Sequence, residues 1–216
     1  MLELRGTMSV SNRTPGDIIR AAEEMLATAK RGLTDLNGTE PERKFVGLQN
    51  LAVFGRAVTN VLQNLRAIDR ERFDRWYEPY RKQMQDDELM RFFYELRTEI
   101  LKRGNLPASA GVNIHHLTLS EDLSRFGPPP QGAVGFFIGD SKGRSGWEVK
   151  LPDGSTEIYY VQWPEDIMTI NVLFSSPPSS HLGRPIRERT AESLGKLYFE
   201  YLHKMLADAH GVFAPL

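Results

Sequence analysis

The chain has 216 residues, 40% of them hydrophobic and 25% charged, enough for one medium domain or two small ones of ordinary globular composition. Its 27 basic residues are offset by 28 acidic ones, so no global positive excess holds a nucleic-acid backbone and any such binding needs a local patch. Cysteine is absent, which excludes disulfides, thiolate metal sites and cysteine nucleophiles and fits a reducing, cytoplasmic setting.

No apolar run approaches the length of a membrane span, and the opening MLELRGTMSVSNR lacks the apolar core of a signal peptide. Residues 1–13 read as a flexible N-terminal extension, with Met8 a candidate true start. A first helix opens at Thr14-Pro15, with threonine as N-cap and proline at the first helical position. Ile18, Ile19, Ala22, Met25, Leu26, Ala29 and Leu33 repeat at helical spacing, and Asn37-Gly38 ends the run. A second helix begins at Thr39-Glu40-Pro41. Its apolar set is wide and extends to Ile68. Gly47 and Gly55, eight apart, predict that a neighbouring helix approaches closely there.

Arg70 to Gln85 is charge-rich, with Phe73, Trp76, Tyr77 and Tyr80 on one face. Pro79 in its middle predicts a kink or two short helices. The fourth helix is the clearest. In DDELMRFFYELRTEILKRGN, Leu89, Phe92, Phe93, Leu96 and Ile100 form one apolar stripe between acidic Asp86 and Asp87 and a basic end closed by Gly104. Arg97 follows Leu96 directly and is expected at the edge of the buried face. An unpaired charge there is costly, so it calls for an acceptor. The candidates are a carboxylate, Asn60 or Gln63 of the second helix, or the same region of a second subunit bridged by an anion. Four helices with short loops imply an up-and-down bundle over 14–105.

After Leu106-Pro107 helical periodicity gives way to alternation. Strands are expected at Val112 to Ile114 (extending toward Leu117), Ala133 to Ile138, Trp147 to Leu151, Thr156 to Trp163 and Met168 to Phe174. Successive strands with tight turns imply an antiparallel sheet of about five strands. SSPPSSHLGRPI reads as a loop without regular pattern, and Ala191 to Ala209 as a C-terminal helix. The fold class is therefore α+β, with the sheet and closing helix occupying 106–216.

Few residues offer chemistry. His115 and His116 are expected on a strand, facing opposite ways, and so do not share a metal. GDSKGRSG has the glycines and lysine of a phosphate loop but neither its spacing nor a following helix, so it reads as a hairpin turn. The aromatic face of the third element has arginines interleaved, but acidic neighbours offset them, so core or interface is the better reading. His181 lies in a loop with Arg184 nearby, a place where function and simple loop-pinning compete. Arg97, Lys102 and Arg103 together form a candidate anion or RNA-phosphate site.

The helical half, in particular FVGLQNLAVFGRAVTNVLQNLR with RFFYELRTEILKRG, resembles the HEPN superfamily of bacterial helical domains. In nuclease members of that superfamily a final-helix arginine is followed by a polar residue and, after four to six intervening residues, by a histidine. Two such helices meet across a homodimer. Arg97 matches the arginine and Thr98 the polar residue, whereas Lys102, Arg103 and Gly104 fill the positions open to the histidine. Lysine, with an unperturbed pKa near 10.4, is a poor acid–base substitute at neutral pH. The resemblance implies a homodimer and a non-catalytic protein that binds a protein partner or a nucleotide- or RNA-like anion, in a stress or defence system. The wide apolar stripe of the second helix and the aromatic third element also suggest a homodimer through the helical half. The alternatives are a metal-independent ribonuclease using Arg97, and a ligand-binding or scaffold protein acting through the C-terminal sheet. The ligand-binding candidates are Arg97, Lys102, Arg103, Asn60, His181 and Arg184. No metal and no cofactor are expected.

Overall fold

The computed structural model describes residues 13–213; the expected N-terminal extension and Met8 lie outside the described residues, save Arg13. Helix α1 (Pro15–Leu36) opens on a capping box: the Thr14 side chain accepts from the Asp17 N–H while Asp17 accepts from the Thr14 N–H at 3.0 Å. Helix α2 (Pro41–Leu62) runs on into a 3₁₀ turn (Gln63–Ala67). Helix α3 (Arg70–Asp86) is one continuous helix through Pro79, not two short ones. Pro79 sits on the exposed face, where the carbonyl its ring leaves without a donor stays in solvent. Helix α4 (Glu88–Arg103) is capped by the Asp87 carboxylate on the Met90 N–H at 2.9 Å, and ends on Gly104 at φ 62°, a left-handed position that favours glycine.

The five longer strands of the second half form two antiparallel sheets rather than one. β1 (Ala108–Ile114) pairs with β5 (Met168–Phe174). β2 (Ala133–Phe137), β3 (Ser145–Lys150) and β4 (Thr156–Val161) form a meander. A helical turn α5 (Leu119–Asp122), continued by a 3₁₀ turn, links β1 to β2. β1 stops at Ile114, so His115 and His116 lie beyond it, both exposed. The stretch expected as patternless loop contains a small hairpin, β6 (Ser180–His181) and β7 (Arg184–Pro185). Two-residue strands are too short to leave an alternation in the sequence.

Helix α6 (Ala191–Phe213) does not close the sheets alone. It lies across α1, α2, α3 and α4, and one hydrophobic cluster runs through all five helices to Val172 and Phe174 of β5. Gly55 of α2 lets Tyr198 of α6 approach: a methyl carbon there would lie 2.5 Å from the tyrosine ring. Trp76 and Tyr80 of α3 pack edge-on against Phe213 and Tyr201 of α6. Two of the grounds for expecting a homodimer, the surplus stripe of α2 and this aromatic face, are met within the chain by α6. Lys44 of α2 and Glu192 of α6 form a buried ion pair at 2.9 Å, their side chains 7% and 13% exposed. The ammonium also donates to the Leu36 carbonyl at 2.9 Å, and the carboxylate accepts the Val172 N–H of β5. One pair thus joins α1, α2, α6 and the sheet.

The β6–β7 hairpin is strapped to the start of α4. Asp87 accepts from the Leu182 N–H at 2.6 Å and meets His181 Nδ1 at 3.0 Å. Glu88 accepts from the Ser179 hydroxyl and the Ser179 and Ser180 amides. These donors hold the Glu88 carboxyl below its ordinary range. The strap is therefore at full strength above that range and weakens as pH falls through the depressed pKa.

Candidate functional site

Helix α2 is apolar over most of its length, and Arg56 interrupts that run directly after the buried Gly55. Its guanidinium donates to Thr59 Oγ1 at 2.6 Å and lies over the Tyr94 ring of α4, 5.5 Å from the centroid. Thr59 is almost fully buried and donates in turn to the Arg56 carbonyl at 2.9 Å. Hydroxyl and ring therefore fix where the Arg56 charge sits.

That charge faces a pocket of about 380 Å³ between α2, α3, α4 and α6. Arg56, Arg81 and Arg91 line it, with Tyr77, Tyr94, Tyr198, Met84 and Met90 as its apolar surface, and no carboxylate. Arg81 is held bidentately by Glu78, at 2.7 and 2.6 Å, and by Gln85. Arg56 and Arg91 have no carboxylate within ion-pair distance among the described residues. Tyr198 is 3% exposed and stacks face to face on Phe93, with centroids 4.0 Å apart. Burial pushes its phenol pKa up, opposed by the Arg56 charge, so it stays protonated and available as a donor. It makes no hydrogen bond among the described residues.

Two uncompensated guanidiniums, a free phenol and an apolar lining without an acid suit an anion that carries a planar or apolar part. None of the lining residues is a histidine or carboxylate able to act as a general base near neutral pH.

The structure does not bring the sequence-predicted residues together. Arg97 is half-buried one turn beyond Tyr94, without an ion pair or hydrogen bond among the described residues. The expected acceptor is missing because the position lies beside the stripe, where the stem packs and the head reaches water. Arg97→Ala is accordingly expected to change stability by less than about 0.5 kcal/mol in a urea melt. Asn60 is exposed on α2, one turn past Arg56, and Gln63 bonds the Tyr77 hydroxyl instead. Lys102 and Arg103 are exposed on the last turn of α4, and Arg103 pairs with Glu99 at 2.9 Å. His181 and the exposed Arg184 sit at the opposite end of α4, on the strap to Asp87. Ten residues of helix separate Asp87 from Arg97, about 15 Å, so His181 does not stand in for the absent histidine.

None of Arg56, Arg81, Arg91, Tyr94 and Tyr198 stands out as a site residue from sequence reasoning, Arg81 being only one of the arginines interleaved on the third element. A signal existed: a single arginine inside LAVFGRAVTNVL, and an arginine and tyrosine three apart on the polar side of α4. Among the described residues, no helix is long and apolar enough to cross a membrane, and no three metal-ligating side chains gather. A family model described as bacteriophage lambda protein ea47 matches residues 34–125, under half of the chain, a span that includes all three arginines of the pocket. No curated protein matches the chain. No solved structure matches it either.

Proposed function

We propose that this is a non-catalytic binding protein on a HEPN-like helical scaffold, and that the Arg56–Arg91 pocket takes a nucleotide-like or RNA-like anion. The observation that carries the reading is a pocket lined by three arginines and no carboxylate, two of the guanidiniums being without acidic partners. The aromatic and methionine lining would hold the base or another planar group, and the guanidiniums the phosphate.

Thermal melts test it directly. A ligand bound only to the native state raises stability by about 1.4 kcal/mol at a concentration about tenfold above Kd. Wild type is expected to gain several degrees from pyrophosphate or a mononucleotide, and Arg91→Ala, at an exposed position, to gain none. Equal shifts in both proteins, or none in wild type, would overturn the assignment. No metal-independent cleavage of total RNA is expected. Cleavage that disappears in Arg97→Ala would restore the ribonuclease reading.

A further inference from the structure

Strands β4 and β5 follow each other in the chain, yet they do not pair. The connection between them, residues 162–167, buries Trp163 and Ile167 in a separate small core and ties the two strands to different sheets. Each is left with an open edge. The Leu151 N–H donates to the Ser155 carbonyl, so the β3–β4 register turns the backbone groups of Glu157, Tyr159 and Val161 toward β3. Those of Ile158 and Tyr160 then point outward. On β5 the Val172 N–H leaves the β1 ladder for the Glu192 carboxylate, at 3.1 and 3.3 Å to its two oxygens. Ile170, two residues earlier, therefore also turns its N–H and C=O away from β1.

Between these edges lies a cleft of about 560 Å³, walled by Tyr160 and Gln162 on one side and Ile170 on the other, with the α1–α2 loop against it. The half-buried Ile170 N–H has no acceptor among the described residues. A half-buried, unpaired strand edge is a template for an added strand.

Charge selects the partner. Five carboxylates line the cleft against two cations. Lys44 is taken up by Glu192, and Arg144 by Glu42 and Asp140. Glu165 and Glu188 are exposed and have no cation within ion-pair distance among the described residues. An acidic segment would meet repulsion here, and a basic one attraction.

We propose that an extended, basic segment of a partner protein adds a strand in this cleft, hydrogen-bonding the free edges of β4 and β5 and setting its lysines or arginines against Glu165 and Glu188. The cleft shares no residue with the arginine pocket, so this inference stands or falls separately from the anion-binding reading.

The probe is a fluorescein-labelled hexapeptide of alternating lysine and valine, followed by anisotropy, with hydrogen exchange of the Ile170 amide as a second readout. Wild type and Arg91→Ala are expected to bind it alike, with slowed exchange at Ile170. Glu165→Gln/Glu188→Gln should weaken binding about tenfold, and N-methylation of alternate peptide amides should weaken it at least as much. The same peptide with glutamate for lysine should not bind. No binding by wild type overturns the proposal. So does undiminished binding of the N-methylated peptide, which would mean charge attraction alone, or unchanged exchange at Ile170. Self-association without peptide that Ile170→Pro abolishes would overturn it too, because the occupant would then be a second copy of the chain.

Discussion

Gly47→Ala is expected to be among the most damaging single substitutions in this protein. Where α1 and α2 cross, Gly32 and Gly47 face each other with no side chain between the backbones. A methyl carbon at Gly47 would lie 2.5 Å from the Gly32 carbonyl oxygen and 2.5 Å from the Leu36 nitrogen; at Gly32 it would lie 2.7 Å from the Gly47 oxygen. Backbone atoms cannot rotate aside as a flexible side chain can, so the helices must separate and the layer of Leu48, Leu51 and Leu36 beneath them must loosen. Overpacking of this kind costs about 3 kcal/mol, well above the gain of roughly 1 kcal/mol that alanine brings to a helix interior. The net loss of about 2 kcal/mol should lower the melting temperature by about 4–8 °C. Gly211→Ala supplies the control: it lies in α6 with nothing within 4 Å of the added carbon, so it should stabilise slightly. A comparable drop at both positions would count against the crossing as the cause, since helix propensity favours alanine at each; no drop at Gly47 would mean the helices are free to part.

Lys44→Ala should be comparably severe, by electrostatics rather than packing. Its ammonium is the partner of Glu192 and of the Leu36 carbonyl, in a setting where the lysine side chain is only 7% exposed. Removing it leaves a largely buried carboxylate with only the Val172 N–H for compensation. Breaking one side of such a pair costs about 3–5 kcal/mol. The double variant Lys44→Met/Glu192→Gln removes both charges and keeps an acceptor for Val172, and should return to within about 1 kcal/mol of wild type. Urea melts of the two singles and the double form a cycle. If the double is as unstable as Lys44→Ala, the charge pair is not the cause, and the donor lost to the Leu36 carbonyl, which methionine does not replace, is.

Much of the helical half is legible because its signals are local. Thr14, Pro15, Asp87 and Gly104 mark ends by cap chemistry, and the spacing of Gly47 and Gly55 announces close approach. The spacing does not say what approaches. Gly47 meets Gly32, but Gly55 meets Tyr198, which comes from a helix on the far side of the strand region. The same distance hides the candidate site. Arg56, Arg81, Arg91 and Tyr198 converge only after four helices pack, so no short window contains them. In the second half, alternation predicts the strands well but not their partners. The split between β4 and β5 is decided by where Trp163 and Ile167 bury, a matter of tertiary packing that a period of two does not encode. Arg97 misleads for a simple geometric reason. Neighbours in sequence stand about 100° apart around a helix, so adjacency to buried Leu96 leaves room for a head in water.

The position of α6 has a consequence for how the chain reaches this state during synthesis. Leu36 and Leu51, near the start, close over Gly195, so that layer is completed by contacts across about 150 residues of chain. The first four helices emerge with apolar faces that nothing yet made can cover, and they must wait through the whole strand region for α6. Long-range closure of this kind slows folding and prolongs exposure of apolar surface. Until α6 is out, the helical half therefore carries apolar surface that only the last part of the chain covers. A truncation before Ala191 should accumulate in aggregated form rather than as a separately folded bundle.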